Sequence, residues 1–510
     1  NCHSGGVGEG TENPFDFDVD EADGVVLNED GHITLDSSRT EHHFVWIANT
    51  GEGTISKVDT RSYEEVARYL TGPDGSRNDP SRTSVNTYGD VFVGNRGGRS
   101  VTKIATGDCP DQNGDGVITT STGPTEILPW RTDECILWNT SLPSGGIIRA
   151  VAAQDTDYGS FVWVGGWDGT IFKLHGETGE VLVQTPSPQR PYGFAMDKHG
   201  NLWIATLSGA TLARLDTGRC QDTAACNVEV CGNDGDDCVK QIIQAPSAHY
   251  GITVDFKQRV WLGGSVTRYD HSAPAGERWA SANSGAFITG ISADEHGWIY
   301  GAAMGQGIYR FEAEAPTNFT VIDGTAGYSV RGVAIDMEGK AWGVNLSHNN
   351  AVVVQPGAGL HDGQVIHTFT GLVSPYTYSD MTGSQLRFAT NRRGIYSRVF
   401  EGCSAERFIY NEWQELHFDA DVEPGSTIRF RMRANHSRTA MEASEWIDIG
   451  EVPGLLSPVD IYQILSAHGL ERAQWLQIEA QLNSHRTDRD LFVPTIRSIS
   501  VQKDCPPIIL

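Results

Sequence analysis

The run DQNGDGVITTS, which begins at Asp111, places the side-chain oxygens of Asp111, Asn113 and Asp115 at alternate positions. Hard divalent cations need several oxygens wrapped around one point. This spacing, with Gly116 for a sharp turn and the Val117 carbonyl next in order, is that of a calcium loop. The twelfth position is Thr122 where a helix–loop–helix site carries a bidentate Glu, and no flanking helix is evident, so another acid must complete the shell. Asp133 and Glu134 are the candidates, because a Cys109–Cys135 bond would fold them back onto the loop. The expectation is a structural calcium ion, since full coordination leaves no open position for a substrate.

The nine cysteines point to a disulfide framework and an oxidising, extracytoplasmic compartment. Cys109 and Cys135 form one pair, and Cys403 and Cys505 another. Cys220, Cys226, Cys231 and Cys238 crowd into CQDTAACNVEVCGNDGDDC. Zinc competes for those four, but they lack a C-x₂-C pair, so two disulfides are preferred, with three connectivities open. Asp234, Asp236 and Asp237 offer a weaker second ion site. Cys2 is left over, as a lipid anchor, an intermolecular partner or a free thiol.

The formal charge of −27 excludes a nucleic-acid partner, whose phosphates need a basic surface. No apolar window is long enough to span a membrane as a helix. Residues 1–41 are Gly-rich and acidic and read as a flexible tether.

The elements that must position these groups are short strands. Seven aromatic-centred phrases, at Trp46, Phe92, Trp163, Trp203, Trp261, Tyr300 and Trp342, lie 46, 71, 40, 58, 39 and 42 residues apart. The two long intervals contain the cysteine-bearing insertions, 106–140 and 219–239. A strand-only period of roughly 40–50 residues is that of propeller blades. The prediction is an all-β chain with a seven-bladed β-propeller over residues 42–390. Residues 374–390 would complete the first blade around Trp46 and close the ring. From Cys403 to Cys505 longer alternating strands predict an antiparallel β-sandwich, closed by a bond between those two residues.

The phrases YGFAMDKHGNLWIA and RGVAIDMEGKAWGV resemble virginiamycin B lyase-like and NHL-type propellers, over residues 42–390 only. The resemblance implies catalytic histidines and a glutamate over the channel, with a His directly before the Gly-Ile of an inner strand and magnesium assisting. Those positions here carry Tyr192, Tyr250 and Arg331, and His249 is displaced by one residue, which turns a strand side chain to the other face. Propellers of this type that bind calcium in the channel use acidic and amide residues, for which Asn49, Asn95 and Asn345 are the nearest matches.

No G-x-S-x-G elbow, H-E-x-x-H pair or P-loop is present. The expected function is therefore a secreted or surface-tethered binding, adhesion or assembly module. Arg149, Tyr192, Tyr250 and Arg331 would stand at one channel mouth, suited to a glycan, an acidic polymer or a surface protein. The alternative is a lyase or hydrolase working at the same mouth.

Overall fold

A computed structural model describes residues 2–36, 42–156, 159–207, 209–232, 238–389, 393–404, 408–486 and 491–507. Asp234, Asp236 and Asp237 lie outside them. The chain divides into two compact units, one of residues 40–390 and one that joins 1–39 to 391–510.

In the larger unit, seven small sheets follow one another in sequence. The first has strands Phe44–Asn49, Thr54–Asp59 and Glu65–Leu70, and the others have four or five strands each. All pairings are antiparallel except for a short parallel strand in the four-cysteine insertion. Hydrophobic cores lie between successive sheets: Trp46 and Tyr69 pack with Val91 and Val93, and Trp203 with Val260 and Leu262. The last core joins the end to the beginning, with Trp342 and Val344 against Val45 and Ile47. Each of the seven aromatics, from Trp46 to Trp342, is at most 1% exposed. These rings fill the wedges between sheets, where flat, bulky side chains bury the most apolar area.

The chain closes the circle beside Trp46. The Trp46 amide donates to the Met381 carbonyl at 2.9 Å and the Tyr376 amide to the Ala48 carbonyl at 3.3 Å, with an antiparallel bridge between Asn49 and Pro375. The segment then turns into a short helix, Ser384–Ala389. Gln385 of that helix reaches the Ile252 carbonyl and the Thr253 hydroxyl, so one segment ties together sheets that are far apart in sequence.

A repeated hydrogen bond explains the blade phrase. In the last four sheets the carboxylate at the end of the first strand accepts the ring donor six residues later: Asp197 from the Trp203 indole at 2.8 Å, Asp255 from Trp261 at 2.9 Å, and Asp336 from Trp342 at 2.8 Å, whereas in the third sheet the Trp163 indole donates to the Gln154 side chain at 2.7 Å. Asp294 accepts the Tyr300 hydroxyl at 3.1 Å in the same way. The other oxygen accepts amides of the hairpin, such as those of His199 and Asn201 at 2.9 Å. Gly200 and Gly339 hold positive φ in these turns, at 77° and 78°, which is why the phrase ends in Gly.

A second regularity is a cation paired across the hairpin with the aromatic: Lys57 with Trp46, Lys103 with Phe92, Lys173 with Trp163, Arg214 with Trp203, Arg268 with Trp261 and Arg310 with Tyr300. The seventh sheet sets Val353 opposite Trp342.

The smaller unit has two large antiparallel sheets, with a core drawn from both, and a two-stranded sheet of His485–Arg486 and Leu491–Phe492. The expectation of a flexible tether at 1–41 is corrected here. Cys2–Gly8, Glu21–Asp23, Val25–Leu27 and Ile33–Leu35 all pair into these sheets, the first along Ser498 to Asp504. Val7, Phe15, Val25, Ile33 and Leu35 are buried, and Asp20 accepts from the Tyr396 hydroxyl at 2.5 Å and the Arg398 guanidinium at 2.9 Å. Widely spaced apolar residues between Gly and Asp turns lower the average hydropathy while still supplying a buried side chain to each short strand. The unit also starts earlier than Cys403, since the strand Arg393–Glu401 belongs to one of these sheets.

Four disulfides are present: Cys109–Cys135, Cys220–Cys226, Cys231–Cys238 and Cys403–Cys505. They fit a non-reducing environment and fix the connectivity of the four-cysteine group as neighbour with neighbour. No helix among the described residues is long and apolar enough to cross a membrane.

Candidate functional site

The first strands of the ring sheets run from one opening to the aspartate turns at the other. At the opening, Tyr192, Tyr250 and Tyr378 form a buried aromatic cluster with Trp167 and Tyr376 packed against it. The Tyr192 hydroxyl donates to that of Tyr250 at 2.8 Å, and the hydroxyls of Tyr250 and Tyr376 lie 3.2 Å apart. Arg82, 1% exposed, lays its guanidinium 3.3 Å from the Tyr378 ring centroid and donates to the carbonyls of Arg149 at 2.7 Å and Tyr192 at 3.1 Å. A guanidinium can be buried this way, held by carbonyls and a π face without a carboxylate.

Around this floor stand further arginines. Arg149 lies 5.5 Å from Trp167 and 5.4 Å from Tyr192, Arg190 lies 4.9 Å from Trp167, and Arg331 lies 5.6 Å from Tyr376. Among the described residues none of Arg82, Arg149, Arg190 and Arg331 has a carboxylate partner, and the buried Nε atoms of Arg149 and Arg331 have no hydrogen bond. Arg96, 5.0 Å from Tyr376, is the exception, paired with Asp79 through its Nε at 2.7 Å. The opening is thus locally cationic in a chain of charge −27.

That field acts on the phenols. Burial pushes Tyr376 up, but the hydrogen bond with Tyr250, the neighbouring Tyr378 hydroxyl and the Arg82 charge outweigh it and bring the phenol down to about 8. Burial holds Tyr250 and Tyr378 above their usual value.

The anticipated mouth residues fall into three groups. Arg149 and Arg331 are half-buried and border the cationic opening. Tyr192 and Tyr250 are only 3% and 9% exposed and form its floor. Asn49, Asn95 and Asn345 are corrected as mouth residues: all are 0% exposed and their amide NH₂ groups bond inside the sheets, while the Oδ1 atoms of Asn95 and Asn345 have no hydrogen bond. Asn49 bonds the Ser56 hydroxyl at 2.8 Å and accepts the Val373 amide at 3.0 Å. Asn95 bonds the Thr71 carbonyl at 2.6 Å, and Asn345 the Asn350 side chain at 2.8 Å. His249 is fully buried away from the phenols, its Nε2 2.6 Å from the Thr211 carbonyl, and burial lowers its pKa. Sequence reading passed over Arg82, Trp167, Tyr376 and Tyr378. The phrases RPYG and SPYTYSD carried a signal, aromatics directly after Pro at strand starts, but their meeting depends on ring closure.

In the 106–140 insertion, Asp111 accepts the amides of Gly114 at 2.6 Å and Gly116 at 2.8 Å, and Asp115 that of Val117 at 2.8 Å. The Gly116 amide above all, with those of Gly114, Asp115 and Asn113, holds the Asp111 carboxyl below its usual value. Glu134 reaches this loop, accepting the amides of Gln112 at 2.8 Å, Asn113 at 3.1 Å and Thr119 at 2.6 Å. Asp133 does not: it accepts from the Ser121 amide at 2.9 Å and hydroxyl at 2.6 Å, and from the Cys135 amide at 3.1 Å. Its expected place in a metal shell is corrected to that of a loop brace. No three His, Cys, Asp or Glu side chains converge as a metal site among the described residues.

No family model and no curated protein matches the sequence. Solved structures resemble it. Virginiamycin B lyase from Staphylococcus aureus, in selenomethionine form, aligns at 13% identity and a TM-score of 0.42, over 64% of this chain and 94% of that one. A streptogramin B lyase aligns at 15% and 0.43, over 62% and 89%. The WD40 domain of Neurospora crassa Pan2 aligns at 14% and 0.43, over 69% and 94%.

Proposed function

We propose that the chain is a secreted or surface-held binding module. In this reading residues 42–390 are a seven-bladed propeller, the smaller unit is a β-sandwich, and anionic ligands are captured at the arginine–tyrosine opening. The observation that carries it is the set of guanidiniums there without carboxylate partners, two with an unsatisfied buried Nε. A buried donor without a partner costs about 1–3 kcal/mol, a cost that an anion seated over Arg149 and Arg331 would relieve. The test is retention of the protein on immobilised polyglutamate, with immobilised polylysine as control. Retention that survives Arg149→Gln with Arg331→Gln would contradict the reading.

A lyase or hydrolase is the second reading, favoured by the Tyr376 phenol, which its neighbours bring to about 8 beside cationic groups. It requires turnover of an acidic polymer or a cyclic depsipeptide, lost in Tyr376→Phe.

Calcium completes the proposal, held by Asp111, Asn113, Asp115 and the Val117 carbonyl. The donor set is all oxygen, and Gly114 and Gly116, at φ of 75° and 83°, let the backbone wrap. A ligand binding only the folded state stabilises it by about 2.7 kcal/mol at a hundredfold excess over its Kd. Calcium should therefore raise the melting temperature and EDTA lower it, with both effects lost in Asp111→Ala.

A further inference from the structure

We infer that the partner at this opening is an acidic protein segment that also carries apolar side chains. The inference rests on the reading of the opening as a binding face and adds the chemical class of what binds. Large apolar residues stand exposed beside the cationic cluster: Phe287 at 46%, Met304 at 41% and Leu207 at 36%. Their positions follow from the strands. Phe287 meets the Tyr250 ring edge-on at 5.7 Å. Met304 follows Ala303, which pairs with Ile288, and Leu207 follows Ala205, whose carbonyl accepts the Tyr192 amide at 2.8 Å. Single exposed apolar residues are ordinary, but here three of them, on the fourth and sixth sheets of the ring, stand at the strand ends that also carry guanidiniums without carboxylate partners.

A glycan would need a flat aromatic face. Trp167 is the half-buried indole at the opening, and it already carries the Arg190 and Arg149 guanidiniums and contacts Tyr192 at 5.8 Å. Met304 and Leu207 offer flexible aliphatic contact, which suits peptide side chains rather than pyranose rings. The floor of Tyr192, Tyr250 and Tyr378 is closed, so contact is with a surface-lying segment whose carboxylates meet Arg149 and Arg331 while its apolar groups cover Phe287 and Met304.

The test is fluorescence polarisation with the full chain. Probes are a labelled peptide of alternating Glu and Phe, the matching Lys and Phe peptide, and a labelled oligogalacturonate. The Glu/Phe peptide should bind and the Lys/Phe peptide should not. Phe287→Ser with Met304→Ser should weaken the acidic peptide by about tenfold or more, with the melting curve unchanged because both side chains are exposed. Arg331→Gln should weaken it also. Binding of oligogalacturonate alone would overturn the peptide inference and leave the opening as a binding face. If neither acidic probe binds, or both bind regardless of Arg331→Gln, the opening itself is not the site and both readings fall.

Discussion

The two ends of the ring sheets are built on opposite rules. At the aspartate end, Asp197, Asp255 and Asp336 each make the same bond to an indole six residues on. At the other end, the residues that open the corresponding strands are Tyr192, Tyr250 and Arg331, and no two make the same set of contacts. Repetition marks a requirement shared by these sheets, that of fixing a hairpin and orienting the ring that fills the wedge. The divergent end meets no common packing need. It gathers charge that the fold does not neutralise, whereas at the aspartate end every carboxylate named has at least two donors. Function is accordingly read at the divergent end and stability at the repeated one.

The sharpest way to break this contrast is at the repeated end. Trp261→Ala should cost about 3–5 kcal/mol in denaturant melts, since it empties a wedge and removes one of the donors to the Asp255 carboxylate. A loss below 1 kcal/mol, roughly a surface value, would show that the wedge rings are not structural.

Next comes pH. Burial pushes the Asp336 carboxyl from 3.8 up to about 6, against the opposing pull of the Trp342 indole. The folded value lies above the unfolded one, so its contribution to stability is full below about pH 4 and is lost as pH rises through about 6. Asp294 and Asp380 are raised by burial in the same direction. The melting temperature should fall over that window at low ionic strength, and Asp336→Asn should flatten part of the fall. A profile identical to that of the parent protein would remove the aspartate end from the pH dependence.

A smaller effect separates floor from rim. Tyr192→Phe deletes the 2.8 Å bond to Tyr250 while keeping the ring beside Arg82, and should cost about 1 kcal/mol. Ligand affinity should stay as it was, because the hydroxyl lies beneath the opening. A change in affinity without a change in stability would place Tyr192 on the binding face.

Much of the repeated end was legible in the sequence, because its partners are close. Asp197 and Trp203 are six residues apart in one hairpin, and the aromatic centres recur at near-constant spacing. The cation opposite six of the seven aromatics is equally available as a strand-register pattern. The divergent end could not be assembled from local pattern. Tyr250 and Tyr376 are 126 residues apart, and Arg82 meets Tyr192 across 110. The N-terminal strands were lost for a different reason: three-residue pieces such as Val25–Leu27 and Ile33–Leu35 are too short to show a period of two among Gly and Asp. The asparagines misled because a polar residue at a strand end reads as a ligand until its neighbours Ser56, Thr71 and Asn350 are known to absorb it.

The most direct test measures binding and stability together in one variant, Arg149→Gln with Arg331→Gln. The account predicts that affinity for the acidic peptide falls by about tenfold or more, equivalent to about 1.4 kcal/mol, while the thermal melt stays within about 0.5 kcal/mol of the parent. Unchanged affinity, or a melt lowered as far as that of Trp261→Ala, would contradict it, because the arginines would then belong to the scaffold like the aspartates at the other end.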